Sequence, residues 1–78
     1  MMPSDEDIEN AIRDLAHRRG LGKTFCPSEV ARAVASDWRP VMDDVRRIAS
    51  GMDGIAATQK GETVDPVTAK GPIRLGLL

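Results

Sequence analysis

The sequence predicts an α+β domain in which helices are followed by a C-terminal β-hairpin. Apolar residues recur at helical spacing in separate segments up to Met52. From Ile55 the period changes to two, and it does so again from Ile73. Between those alternating segments lies "GETVDPVTAKG", rich in Gly, Pro and polar residues.

The first helix is expected over 5–19. Ser4 and Asp7 have the spacing of a capping box, with Asp in place of Glu or Gln. Ile8, Ala11, Ile12, Leu15 and Ala16 form one apolar stripe. Asp5, Glu6 and Asp7 open the helix and His17, Arg18 and Arg19 close it, complementing the macrodipole at both ends. Glu9–Arg13 and Asp14–Arg18 are i,i+4 pairs on the wet side. Gly20 and Gly22 end it.

"KTF" has room only for a brief extended piece. A second helix is expected over 27–36. Pro27 suits its first position, where a missing N–H costs nothing. Glu29 is spaced to reach back to the Cys26 amide, and Val30, Ala33 and Val34 are the expected buried face. A third helix is expected over 39–51, with Pro40 in its first turn and a pre-proline constraint on Arg39. Val41, Val45, Ile48, Ala49 and Met52 are its stripe, with Trp38 one turn earlier.

The hairpin is expected over 55–76, with a long loop. Ile55, Ala57 and Gln59 share one face of its first strand. Ile73, Leu75 and Leu77 share one face of its second, with Arg74 opposed. The order is then α-β-α-α-β-β. A short second helix bracing the third through the tight "SDW" turn is a helix-turn-helix, and three helices with a terminal hairpin make it winged. Seventy-eight residues accommodate one such domain, 1–78, with one small core.

Three phrases carry a more specific likeness: "KTFCPSEVAR", "WRPVMDDVRRIA" and "IAATQKG…VDP…AKGPIRL". On these the chain resembles the bacterial domain-of-unknown-function family 3253, from about Ile8 to Leu75. The resemblance implies a small winged-helix-like shape and supplies no catalytic residues.

Composition narrows the function. Net charge is −1, which argues against bulk electrostatic attraction to nucleic acid. The charge is unevenly spread. Residues 1–16 hold five acids and one base, and the rest hold ten bases and seven acids. A nucleic-acid-binding module of the kind a small transcriptional regulator uses is the first reading. Arg39, Arg46 and Arg47 of the third helix and Lys60, Lys70 and Arg74 of the wing are the candidate contacts to duplex DNA. Asp43 and Asp44 oppose that role by pairing with Arg46 and Arg47 or by repelling phosphate. The wing cations have a second reading, protection of an edge strand. The alternative function is a protein-interaction module or homodimer, with Leu77 and Leu78 near a contact.

Enzymatic activity is not expected, because no nucleophile–base–orienter set and no carboxylate dyad can be read. No cofactor and no small-molecule ligand are implied. One Cys and one His make no zinc site without acids gathered by folding. Cys26 reads either as a small structural residue or as a reactive thiol at a helix N-terminus. Trp38 reads as a plug between the second and third helices or as a base-stacking surface. The acidic N-terminus lacks the features of a secretory signal, and no apolar run is long enough to span a bilayer. A reducing, cytoplasmic setting without membrane contact is therefore expected.

Overall fold

The computed structural model of the protein describes residues 2–78. Helix α1 (Asp5–Arg19) begins at the expected capping box. The Asp7 amide donates to Ser4 Oγ at 3.1 Å, and the Ser4 amide donates to the Asp7 carboxylate at 3.3 Å. These bonds satisfy donors that no helical turn precedes. Ile8, Ile12 and Ala16 are buried, and Ala11 and Leu15 flank them against the core.

Strand β1 (Thr24–Phe25) leads directly into α2 (Pro27–Val34). The Cys26 amide donates to Glu29 Oε2 at 3.0 Å, as the spacing of the two residues predicts. Two expectations are corrected here. Helix α2 ends at Val34, two residues early, because Ala35 leaves with an extended backbone (φ −153°, ψ 140°). That exit lets both Ala35 and Trp38 pack against the core. Its buried face is Pro27, Val30 and Ala31, with Val34 beside them, while Ala33 is exposed. The neighbours of α2 select Ala31 over Ala33, a choice that two alanines of equal size cannot signal.

The third helical segment is divided. Arg39–Val41 is a single 3₁₀ turn, closed by the Val41 amide on the Trp38 carbonyl at 3.0 Å, and α3 covers Met42–Ser50. Pro40 supplies no N–H and its ring restricts Arg39, so the regular ladder starts only beyond it. Val41, Val45, Ala49 and Met52 are buried as expected.

The expected long-loop hairpin is corrected most. Strand β2 (Ile55–Gln59) pairs antiparallel with β4 (Arg74–Leu77), Ala57 opposite Leu75, so the two alternating segments do meet. A further strand, β3 (Glu62–Val64), lies within the stretch expected to be loop and pairs with the other edge of β2. Lys60 and Gly61 make the connecting two-residue turn, with φ of 52° and 84°. Positive φ at both central residues is the twist that a tight hairpin requires.

The sheet order is β1-β4-β2-β3, all antiparallel. Phe25, Leu75, Ala57 and Val64 stand in one row across it. Phe25 is the largest wholly buried side chain, although its strand has only two residues. Its burial contributes about 1.5–3 kcal/mol. Gly76 sits where β4 passes β1, and a Cβ there would lie 3.0 Å from the Lys23 carbonyl oxygen. The structure is thus α+β, three helices against a four-stranded antiparallel sheet.

Candidate functional site

The six candidate cations divide by what their side chains touch. Arg46 lies on the side of α3 that faces the loop 65–73. Its Nη1 donates to the Ala69 carbonyl at 2.8 Å and its Nη2 to the Gly71 carbonyl at 2.6 Å. Gln59, at the end of β2, takes the alternate positions: its Nε2 donates to the carbonyls of Lys70 at 2.6 Å and Pro72 at 3.2 Å. Four consecutive carbonyls are therefore held by two side chains from two different elements. The two bonds from Arg46 are charge-assisted and join the loop 65–73 to α3, and the two neutral bonds from Gln59 join it to β2.

Arg74 performs a similar task at the other side of β4. Its Nε donates to Thr24 Oγ1 and its Nη2 to the Thr24 carbonyl, both at 3.0 Å, and its Nη1 meets Cys26 Sγ at 2.9 Å. A two-residue strand has few ladder bonds of its own, and Arg74 supplies further ones. Arg47 reaches Asp5 at the start of α1 (2.9 Å) and Asp44 one turn back (3.3 Å). Arg39 lies 4.9 Å from the centroid of the Trp38 ring. Lys60 occupies the β2–β3 turn, and Lys70 extends from the loop held by Arg46 and Gln59.

The expected pairing of Asp43 and Asp44 with Arg46 and Arg47 is half realised. Asp44 pairs with Arg47, whereas Arg46 takes carbonyls and Asp43 joins no ion pair among the described residues. Arg39, Arg46, Lys60, Lys70 and Arg74 likewise have no carboxylate within 4.0 Å among the described residues. On α1, by contrast, Arg13 and Arg18 each pair with an acid one turn away.

Two carboxyls are held below their ordinary range. The Cys26 amide, and next the Arg19 guanidinium, stabilise ionised Glu29. Bonding from Arg47 does the same for Asp5. Both act at the ends of helices.

The Cys and the His have separate partners. His17 Nδ1 donates back to the Arg13 carbonyl at 2.7 Å, while Cys26 meets Arg74. A shallow cleft of about 130 Å³ beside Cys26 is lined by Pro27, Ser28, Met42, Arg46, Pro72 and Ile73. Among the described residues, no three His, Cys, Asp or Glu side chains are grouped to hold a metal. No described helix is long and apolar enough to cross a membrane.

Residues 5–78 match the model of the family described as protein of unknown function (DUF3253). The chain belongs to that family. In this DUF3253 domain the match runs from the first residue of α1 to the last residue after β4. A search of the curated proteins found no match. Parts of the phrases quoted from the sequence sit at junctions of the DUF3253 domain. Cys26-Pro27-Ser28-Glu29 opens α2, Trp38-Arg39-Pro40 forms the α2–α3 turn, and Gly71-Pro72-Ile73-Arg74 joins the held loop to β4.

Gln59 and Arg32 are not among the expected site residues, and Trp38 reads from the sequence as a plug or a base-stacking surface. Nothing local marks Gln59, because its acceptors lie 11 and 13 residues away. Arg32 carries a sequence signal only in retrospect: it lies six positions before Trp38, and its guanidinium lies 4.5 Å from the Trp38 ring centroid.

Proposed function

We propose that this domain is a winged helix that binds duplex nucleic acid along its phosphate backbone, with α3 and the β2–β4 region as the contact surface. One observation carries the reading. Among the described residues five of the six candidate cations have no carboxylate partner, and Arg46 and Gln59 tie the wing loop to α3 and β2. A rigid array of unneutralised positive charge suits a polyanion.

The topology supports the same reading. α2, a tight turn and α3 follow one another as in a helix-turn-helix, and β4 lies between β1 and β2 beside them. The engagement of Arg46 by carbonyls and of Arg47 by acids favours phosphate contact over base readout. A small regulator in a reducing, bacterial cytoplasm is the setting that accompanies this proposal, and the single free cysteine is in keeping with it.

The test is fluorescence anisotropy of a labelled duplex titrated with the protein at several salt concentrations. Binding at low salt that weakens linearly on a log–log plot is the expected result. No binding at low salt would remove the proposal. A protein-contact role is the second reading, favoured by the exposure of Leu78 (77%) and by the free edge of β3. Sedimentation separates it: a dimer that binds no duplex supports this second reading.

A further inference from the structure

We infer that Arg32, Trp38 and Arg39 form a phosphate clamp at the α2–α3 turn. This deepens the nucleic-acid reading above and rests on it. It adds Arg32 and Trp38, which lie outside the surface assigned to α3 and the wing.

The chain has eight arginines, and the other six all have polar partners. Arg13, Arg18, Arg19 and Arg47 pair with carboxylates, and Arg46 and Arg74 donate to carbonyls, a hydroxyl or a thiol. Among the arginines of the described residues, the side chains of Arg32 and Arg39 alone make neither an ion pair nor a hydrogen bond. Asp37, adjacent to the indole in sequence, pairs with neither of them.

What holds these two guanidiniums is the Trp38 ring, with centroid distances of 4.5 and 4.9 Å. Trp38 is itself half-buried and packed against the core, so the ring is a fixed support. Stacking engages the face of a guanidinium and leaves its in-plane N–H groups free. Both forks of donors are thus open to an anion. Two like charges at one ring also repel each other, and a bound anion relieves that repulsion.

A phosphate meets these requirements, since its oxygens accept bidentate bonds from guanidinium. The position suits a nucleic-acid backbone. Arg32 lies in the last turn of the first helix of the pair and Arg39 opens the turn into α3. In a helix-turn-helix the first helix crosses the backbone while the second approaches the groove.

The experiment compares the parent protein with R32Q, R39Q, W38L and R13Q, using a labelled duplex over a range of salt. Circular dichroism confirms the fold of each. R32Q and R39Q should each lower the slope of log affinity against log salt by about 1. W38L should weaken binding although both arginines remain. R13Q, altered on α1, should keep the parent slope. If the parent binds but R32Q and R39Q retain its slope, the clamp is wrong and the wider reading stands. Loss of slope in R13Q equal to that in R32Q also overturns the clamp. If the parent binds no duplex, both fall together. The emission of Trp38, the only indole, supplies the second arm. A change with duplex and none with inorganic phosphate at equal phosphate concentration supports a backbone contact. An equal change with inorganic phosphate overturns it in favour of a free-anion site.

Discussion

Arg46 Nη2 donates to the Gly71 carbonyl at 2.6 Å across 25 residues of sequence. Together with its bond to Ala69, this contact ties the loop 65–73 to α3. The loop 65–73 has its own short-range order, an Asp65 side chain accepting from the Val67 amide at 2.8 Å. Its position relative to α3, however, depends on Arg46 and Gln59.

Arg46→Ala should therefore cost about 1.5–3 kcal/mol, the range for hydrogen bonds to a charged group. Amide exchange should quicken selectively in residues 65–73. Urea denaturation and exchange measured together check this. Unchanged stability with an unchanged loop would show that the side chain is incidental there.

Lys60 and Gly61 meet the same requirement of the β2–β3 turn, positive φ, at different cost. Lys60 adopts φ 52°, which a long side chain tolerates poorly and Asn tolerates well. Lys60→Asn should stabilise the domain by about 0.5–1 kcal/mol, part of the left-handed penalty. It also removes a proposed phosphate contact, so the salt slope for duplex binding should fall by about 1. Thermal melting and anisotropy on the same variant should then move in opposite senses.

Gly76→Val would place a branched side chain against the Lys23 carbonyl, which already lies 3.0 Å from an ideal Cβ. The β1–β4 approach has no slack there, because Arg74 ties the same strands together. A loss of about 1–3 kcal/mol is expected, in the range of overpacked cores. Chemical denaturation measures it, and a neutral result would mean that β1 moves freely.

Acid should weaken the domain through two identified carboxyls. Glu29 and Asp5 titrate lower in the folded chain than their ordinary values of 4.5 and 3.8. A depressed folded value contributes stability above the unfolded value. That contribution is lost as the pH falls below those ordinary values and through the depressed ones. Glu29→Gln should flatten the upper part of this acid limb, and Asp5→Asn the lower part. Denaturation midpoints measured from neutral pH downward report both.

Sequence alone determined the parts of this protein whose causes are local. The Ser4–Asp7 box, the Glu29 reach to Cys26 and the stripes of α1 and α3 involve partners three or four residues apart, so spacing is enough to reveal them. The pairing of β2 with β4 was legible too, because two alternating segments each need a partner. Tertiary structure alone decided the rest. β3 escaped notice because Lys-Gly is a weak turn signal and three residues make little pattern. The carbonyl partners of Arg46 and the Thr24 and Cys26 partners of Arg74 were not legible because they lie 23 to 50 residues away. Such partners are backbone carbonyls, a hydroxyl and a thiol, groups every chain has in quantity, and only folding selects which of them an arginine meets.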